Sequence, residues 1–301
     1  MLAGGEIQER NGVILRSSHI AIRDTGTLRL LHWSETGPPC LLLHGFADSA
    51  DVWSEFAPFL AANFCTFAMD LRGHGDSSWN RDSAYQVASF VEDLDAVLQA
   101  IDGEPVTLVG HSLGAEIAIL FAAASMHRVA RLVIVDFGPE IGAAAADRLR
   151  AEFVSMPRRF RSVAEYEEWL IERRPLVDRK VLARFASNNL RQVAGGFEIK
   201  ADPALAERPQ FGEPMVRQDR RHDPMLWAAL AKVKCPCLVI RGQGSAVLPA
   251  DVARRMATAV LADGQLAIVN RAGHGVVMEN AAGLFEATRG FLLGRGARDK
   301  S

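Results

Sequence analysis

The chain lacks any apolar run long enough to cross a bilayer. None of its 301 residues belongs to a stretch approaching the roughly 18 uninterrupted apolar residues that a crossing needs. The opening MLAGGEIQERNG has no apolar core of the kind a secretory leader carries. A cytoplasmic protein without a membrane partner is the expectation. Excess charge is also lacking: 34 basic residues face 36 acidic ones, so no field for nucleic acid or an anionic surface exists, and the expected partners are small molecules. There are only four cysteines, Cys40, Cys65, Cys235 and Cys237, without CxxC spacing. Cys235-Pro236-Cys237 could be read as a redox pair, but buried free thiols at strand positions are the plainer reading. The eight histidines are scattered, with no HExxH and no Cys/His cluster, so no metal site is expected. Gly73-His74-Gly75 has no third glycine, and no GK[ST] follows any glycine-rich loop, so no nucleotide cofactor is expected either.

What is present begins with 49% hydrophobic residues, enough to bury one large α/β core with or without an inserted subdomain. The most informative stretch is Val106 to Phe121, VTLVGHSLGAEIAILF. A short β-branched run is followed by apolar residues at Leu113, Ile117, Leu120 and Phe121, which is helical spacing. Between them Gly110-His111-Ser112-Leu113-Gly114 forms a GxSxG string. In a strand-to-helix turn this tight, the positions two before and two after the serine cannot carry bulky side chains, and the serine hydroxyl stands exposed at the strand end. The positive end of the helix then aims backbone N–H groups at the place where an oxyanion would form. Ser112 is the candidate nucleophile, the alternative being an ordinary tight-turn serine.

On this elbow, with its strand before and helix after, the chain resembles the α/β-hydrolase superfamily over nearly its whole length. The expected fold is a mostly parallel sheet flanked by helices. Val13–Arg23 and Thr27–Ser34, joined by Asp24-Thr25-Gly26, read as an antiparallel hairpin at one edge. Cys40–His44 reads as a doubly buried strand ending in His44-Gly45-Phe46. By the resemblance, the N–H of Phe46 pairs with that of Leu113 as the oxyanion hole; a plain strand-ending glycine is the alternative. A helix over 50–62, a strand over 64–70 and the loop Asp70-Leu71-Arg72-Gly73-His74-Gly75-Asp76-Ser77 follow, the loop with a structural role. A helix over 84–101 is closed by Asp102-Gly103-Glu104-Pro105, and the next strand after the elbow covers Arg131–Asp136.

Residues 140–230 contain no good buried strand and are rich in Arg and Glu. Helices are expected over 144–155, 162–173 and 178–193. This segment reads as a helical cap inserted into a core made of 1–139 and 231–301. The core resumes with a strand over Cys237–Gly242, a helix over 249–260, a strand over 265–269 and a final helix reaching about 293. The resemblance places the catalytic histidine just past the last strand, at Gly273-His274-Gly275, which makes His274 the candidate base.

A serine–histidine pair needs a carboxylate to fix the imidazole tautomer and to stabilise the imidazolium. Most of the superfamily carries it after the strand at 237–242, in a Gly-x-x-Asp or Gly-x-x-Ser-Asp pattern. Here the string is Gly242-Gln243-Gly244-Ser245-Ala246, and neither slot is acidic. Asp251 falls inside the next helix. Asp136, at the end of the strand after the elbow helix, is the candidate acid, against the alternative of a turn former before Gly138-Pro139. The combination is similar to the acetamidomethylene-succinate hydrolases, in which the acid follows this strand, the sixth in the family's count. That subgroup implies cap arginines that hold substrate carboxylates. Arg173-Arg174-Pro175 resembles the corresponding string, although solvated arginines would look the same, and His111 joins them as a substrate-binding candidate.

The reading is a cofactor-free serine hydrolase that cleaves an ester, lactone or amide of a small, carboxylate-bearing molecule. Carbon–carbon bond hydrolysis, acyl transfer or perhydrolysis on the same residues is an alternative. A ligand-binding receptor with weak hydrolysis is another, motivated by the empty slot at Ala246. Sequence does not set the oligomeric state.

Overall fold

The computed structural model describes residues 6–10, 13–22, 26–79, 85–101, 105–207 and 223–294. The expected turn at Asp24-Thr25 and the segment Asp102-Gly103-Glu104 lie outside these residues. A sheet of nine strands runs in the order β1-β2-β3-β5-β4-β6-β7-β11-β12. Its antiparallel edge consists of β1 (Glu6–Arg10), β2 (Val13–Ile22) and β3 (Gly26–His32), and β3 pairs antiparallel with β5. The rest is parallel: β4 (Pro39–Leu43), β5 (Cys65–Met69), β6 (Val106–His111), β7 (Val129–Val135), β11 (Cys237–Gly242) and β12 (Gly264–Val269). The strand β1 is an addition that the sequence reading does not anticipate.

Both faces of the parallel strands are covered, which is why they read as continuous apolar runs rather than alternating ones. Leu41, Leu42 and Leu43 of β4, Leu108 and Val109 of β6 and Leu132–Val135 of β7 are fully buried. Helix α1 (Ala57–Leu60), preceded by a 3-10 turn over Ala50–Glu55, replaces the single helix expected at 50–62. Helix α2 (Val87–Ile101) buries Phe90, Leu94, Val97 and Leu98, and α3 (Leu113–Ala124) follows the elbow. The loop after β5 is structural, as expected. Arg72 donates to both oxygens of Asp93 (2.6 Å each) in a buried pair. Asp70 accepts from the amides of Ala50 and Asp76 at 2.6 and 2.9 Å. Gly75 lies so close that a Cβ there would be 2.2 Å from the Asp70 carboxylate.

Between β7 and β11 the chain forms α4 (Ala143–Ser155), β8 (Arg159–Phe160), α5 (Val163–Arg173), α6 (Arg179–Asn188), β9 (Leu190–Val193) and β10 (Gly196–Ile199). The three short strands make a separate sheet in the order β8-β10-β9, where only helix was expected, and the third helix stops at Asn188 instead of 193. The β9–β10 hairpin turns through Gly195 and Gly196, both at positive φ (84° and 152°). Helix α7 (Pro224–Lys232) spans the expected boundary at 230 and packs against α3. Helix α8 (Ala250–Arg255) runs into a π-turn over Met256–Val260. The last helix is two, α9 (Val276–Glu279) and α10 (Ala281–Leu293), because the Asn280 side chain caps α10 by accepting from Gly283 N–H at 2.9 Å. No helix among the described residues is long and apolar enough to cross a membrane.

Candidate active site

The turn from β6 into α3 is as tight as the GxSxG spacing requires. A Cβ at Gly110 would lie 2.4 Å from the Gly114 oxygen, and one at Gly114 would lie 2.3 Å from the Leu43 oxygen. Only hydrogen fits at either position. Ser112 itself sits at φ 50°, ψ −117°, a backbone state outside the ordinary regions for an L-residue and costing on the order of 1–3 kcal/mol. Such strain is held by the surrounding structure: Ser112 N–H donates to the Val135 oxygen at 3.2 Å, and its own oxygen accepts the first helical amides, from Ala115 and Glu116. Leu113 is the first residue of α3, where backbone N–H groups have no intrahelical acceptor.

Asp136 stands at the end of the neighbouring strand. Its N–H extends the β7–β11 pairing by donating to the Ile240 oxygen at 2.8 Å, and its φ of 49° then turns the chain sharply. The carboxylate is fully buried and accepts three hydrogen bonds. Gly242 N–H donates to Oδ1 at 2.9 Å, Ser245 Oγ to Oδ2 at 2.6 Å, and His274 Nδ1 to Oδ2 at 2.8 Å. The sequence candidates Asp136 and His274 are therefore in direct contact, although 138 residues apart. Asp251 is exposed on α8 and has no place in the cavity lining. Ala246, in the slot where an acid was sought, is exposed and lines the cavity.

His274 is held from two further sides. Glu279 Oε2 accepts from Gly273 N–H at 2.5 Å, fixing the loop that presents the imidazole. His111 Nε2 lies 2.8 Å from the His274 backbone oxygen; a carbonyl can only accept, so this nitrogen carries the hydrogen. The two rings are 4.9 Å apart at their centroids. Burial, together with His274, pushes the His111 pKa down to about 4, so the ring is neutral at pH 7. His111, the substrate-binding candidate, lines the cavity, and its Nε2 is tied to the histidine loop. Its other nitrogen, Nδ1, is buried without a partner.

His44 is fully buried and pins the loop that carries Phe46. Its Nδ1 donates to the Gly45 oxygen (2.6 Å), while Nε2 accepts from Leu71 N–H (3.0 Å). The Phe46 ring packs edge-on to His74, which in turn packs on His44. Phe46, Leu113, Ser112 and His274 all line one cavity of about 510 Å³. That volume suits a small molecule.

Arg173, the last residue of α5, and Arg174 both line this cavity but differ in company. Arg174 Nη2 donates to Asp48 Oδ1 at 2.7 Å, Nη1 meets the Met278 sulfur at 3.2 Å, and the guanidinium lies 5.2 Å from the Phe185 ring centroid. Burial works against the Asp48 charge, but Arg174 overrides it and holds the carboxyl below the usual range. Arg173 stacks on Trp169 at 4.2 Å and donates to the Trp169 oxygen and to the exposed Glu172.

Asp48, Glu279 and Ser245 were not found by sequence reasoning. Ser245 alone had a signal, as the serine of the Gly-x-x-Ser string.

A strand-to-helix elbow, a buried acid touching a histidine past the last strand, and a cavity over both define an α/β hydrolase. Residues 38–281 match the alpha/beta hydrolase fold family, and the chain belongs to it. It is 28% identical, over 78% of its length and 82% of the relative's, to the 2-(acetamidomethylene)succinate hydrolase of Mesorhizobium japonicum. It is also 28% identical, over 87% of its length and 91% of the relative's, to the N-formylmaleamate deformylase of Pseudomonas putida. A solved structure of E-2-(acetamidomethylene)succinate hydrolase superposes with a TM-score of 0.79 at 25% identity, covering 91% of this chain and 99% of that one.

Proposed function

We propose that this protein is a serine hydrolase cleaving an ester, lactone or amide bond of a small molecule. The observation that carries the reading is the 2.8 Å contact from His274 Nδ1 to Asp136 Oδ2, at the strand end beside Ser112. With Nδ1–H directed at a carboxylate, Nε2 is left as a lone pair, the form a general base needs. Ser112 Oγ attacks the carbonyl carbon and passes its proton to His274 Nε2. The N–H groups of Phe46 and Leu113 receive the oxyanion. Collapse of the tetrahedral intermediate expels the leaving group, which takes the proton from His274, and an acyl-enzyme remains. Water repeats the sequence, giving its proton to His274 and releasing the acid and Ser112. Asp136 stays ionised and stabilises the imidazolium in each half.

Residues 140–230 act as the cap, with α4 and α5 lining the same cavity as the elbow. Arg173 is the candidate for a substrate carboxylate, because a guanidinium stacked on an indole keeps its edge for bidentate binding. Arg174 has its charge matched by Asp48. The receptor-like alternative loses its motive, since the empty slot at Ala246 is compensated by an acid on the adjacent strand.

Ser112→Ala tests the reading. Turnover of an activated ester should fall by several orders of magnitude, and labelling by a fluorophosphonate should vanish, at unchanged melting temperature. Activity within tenfold of the parent would remove the nucleophile.

A further inference from the structure

The loop after β11 has lost the acid slot, yet it retains a hydroxyl that reaches the relocated acid. Ser245 is buried, and its Oγ has three neighbours: Asp136 Oδ2 at 2.6 Å, Val247 N at 3.1 Å and Leu248 N at 3.2 Å. A hydroxyl has one hydrogen to give and two lone pairs to receive with. Both backbone amides must donate, so both lone pairs are used and the hydroxyl hydrogen has one direction left, toward Asp136. The carboxylate therefore receives Ser245 O–H and His274 Nδ1–H on Oδ2 and Gly242 N–H on Oδ1. With a donor already on each oxygen, Ser245 O–H on Oδ2 and Gly242 N–H on Oδ1, the carboxylate faces His274 as an acceptor. The imidazole must then carry its hydrogen on Nδ1 and its lone pair on Nε2.

We propose that Ser245 is a positioning residue for the reaction, one that fixes the orientation and ionisation of Asp136 and through it the tautomer of His274. This rests on the Ser112–His274–Asp136 reading above. Two main-chain amides in the loop after β11 orient the Ser245 hydroxyl, and that hydroxyl orients the acid. The serine of the usual Gly-x-x-Ser-Asp pattern thus serves an acid on the next strand.

The consequence can be read in a pH profile. A donated hydrogen bond draws charge from the carboxylate. Without it Asp136 holds a protonated His274 more strongly, and the acidic limb of kcat/KM moves to higher pH. The other charged or titratable groups at this histidine are His111, across its ring, and Glu279, on the Gly273 amide.

The experiment compares Ser245→Ala, Ser245→Cys and Ser245→Thr with the parent on one activated ester, recording kcat, KM and the pH dependence. Ser245→Ala should lower kcat by about tenfold to a hundredfold, as for a lost hydrogen bond to a charged group, with KM nearly constant and the acidic limb displaced upward. Ser245→Cys, a weak donor of similar shape, should fall between, and it decides the matter if the alanine variant does not fold. Ser245→Thr should restore most of the rate and the parental limb. An unmoved limb, or a rate within twofold of the parent in both the Ala and Cys variants, overturns the proposal. Asp136→Asn is the control that separates the two levels. If it inactivates while the Ser245 variants are silent, only the positioning role falls; if it is silent too, the underlying triad falls with it.

Discussion

The carboxyl ends of β7 and β11 lie side by side, and on the proposed reading they divide the work that one strand end does in most of the family. The end of β7 supplies the charge, Asp136; the end of β11 supplies donors to it, Gly242 N–H and Ser245 Oγ. What the histidine requires is a buried carboxylate at its Nδ1, whichever strand delivers it. Adjacent parallel strands are about 4.8 Å apart, which a carboxylate on a single methylene, with a favourable backbone turn, can span. Asp136 makes that turn at φ 49°.

The sharpest way to break the comparison is Asp136→Asn. The amide favours the wrong imidazole tautomer, and by analogy with the serine-protease precedent the rate should fall by about four orders of magnitude at unchanged fold. Asp251→Asn, at an exposed position on α8, should stay within twofold on the same assay. Equal losses in both would erase the contrast between the strand ends.

A smaller effect is expected from reinstating the other slot. In the Asp136→Asn background, Ala246→Asp should recover about tenfold in kcat/KM, because Ala246 lines the same cavity as His274. No recovery at all would mean that the β11 end can no longer serve as the acid.

The segment between β7 and β11 repeats the contrast between a committed and an uncommitted group. Arg174→Ala leaves Asp48 buried beside the Phe46 loop without its counter-ion, so thermal stability should drop, by about 3 kcal/mol. Arg173→Ala should leave stability unchanged and raise KM for an acidic substrate about tenfold, with less effect on the matched neutral ester. Were the two outcomes exchanged, Arg174 would be the substrate ligand.

The smallest effect concerns His111. Burial lowers its pKa in the folded state to about 4, below the ordinary 6.5, so unfolded chain binds the proton first. Stability from this group is complete above pH 6.5 and is lost as pH falls toward 4. His32, also buried and lowered to about 4, contributes in the same window. His111→Gln should flatten part of the decline in melting temperature between pH 6.5 and 4, and an unchanged slope would place His111 outside this linkage.

The legible parts of the molecule are those whose constraint is local. Gly110 and Gly114 flank Ser112 because nothing larger than hydrogen fits at the positions two before and two after it, and such a constraint can be read along the chain. The doubly buried strands and the apolar stripe of α2 are local in the same way. The sheet in the segment after β7 was not read, because its strands are two to four residues long and mix charge with apolar residues. Gly195-Gly196 was the one hairpin signal there. The partners Ser245–Asp136 and Arg174–Asp48 join residues 109 and 126 positions apart, and no periodicity encodes such pairs. Asp136 was reached from the missing acid at Ala246 together with the resemblance to hydrolases whose acid follows the preceding core strand.

The most direct test of the central claim is the proton NMR signal of the hydrogen between His274 Nδ1 and Asp136. An imidazole N–H donated to a buried carboxylate should resonate far downfield of the amide region in the parent protein and in Asp251→Asn, and it should disappear in Asp136→Asn. A downfield signal that survives Asp136→Asn, or is lost in Asp251→Asn, would contradict the account, since His274 would then be donating to a different acid.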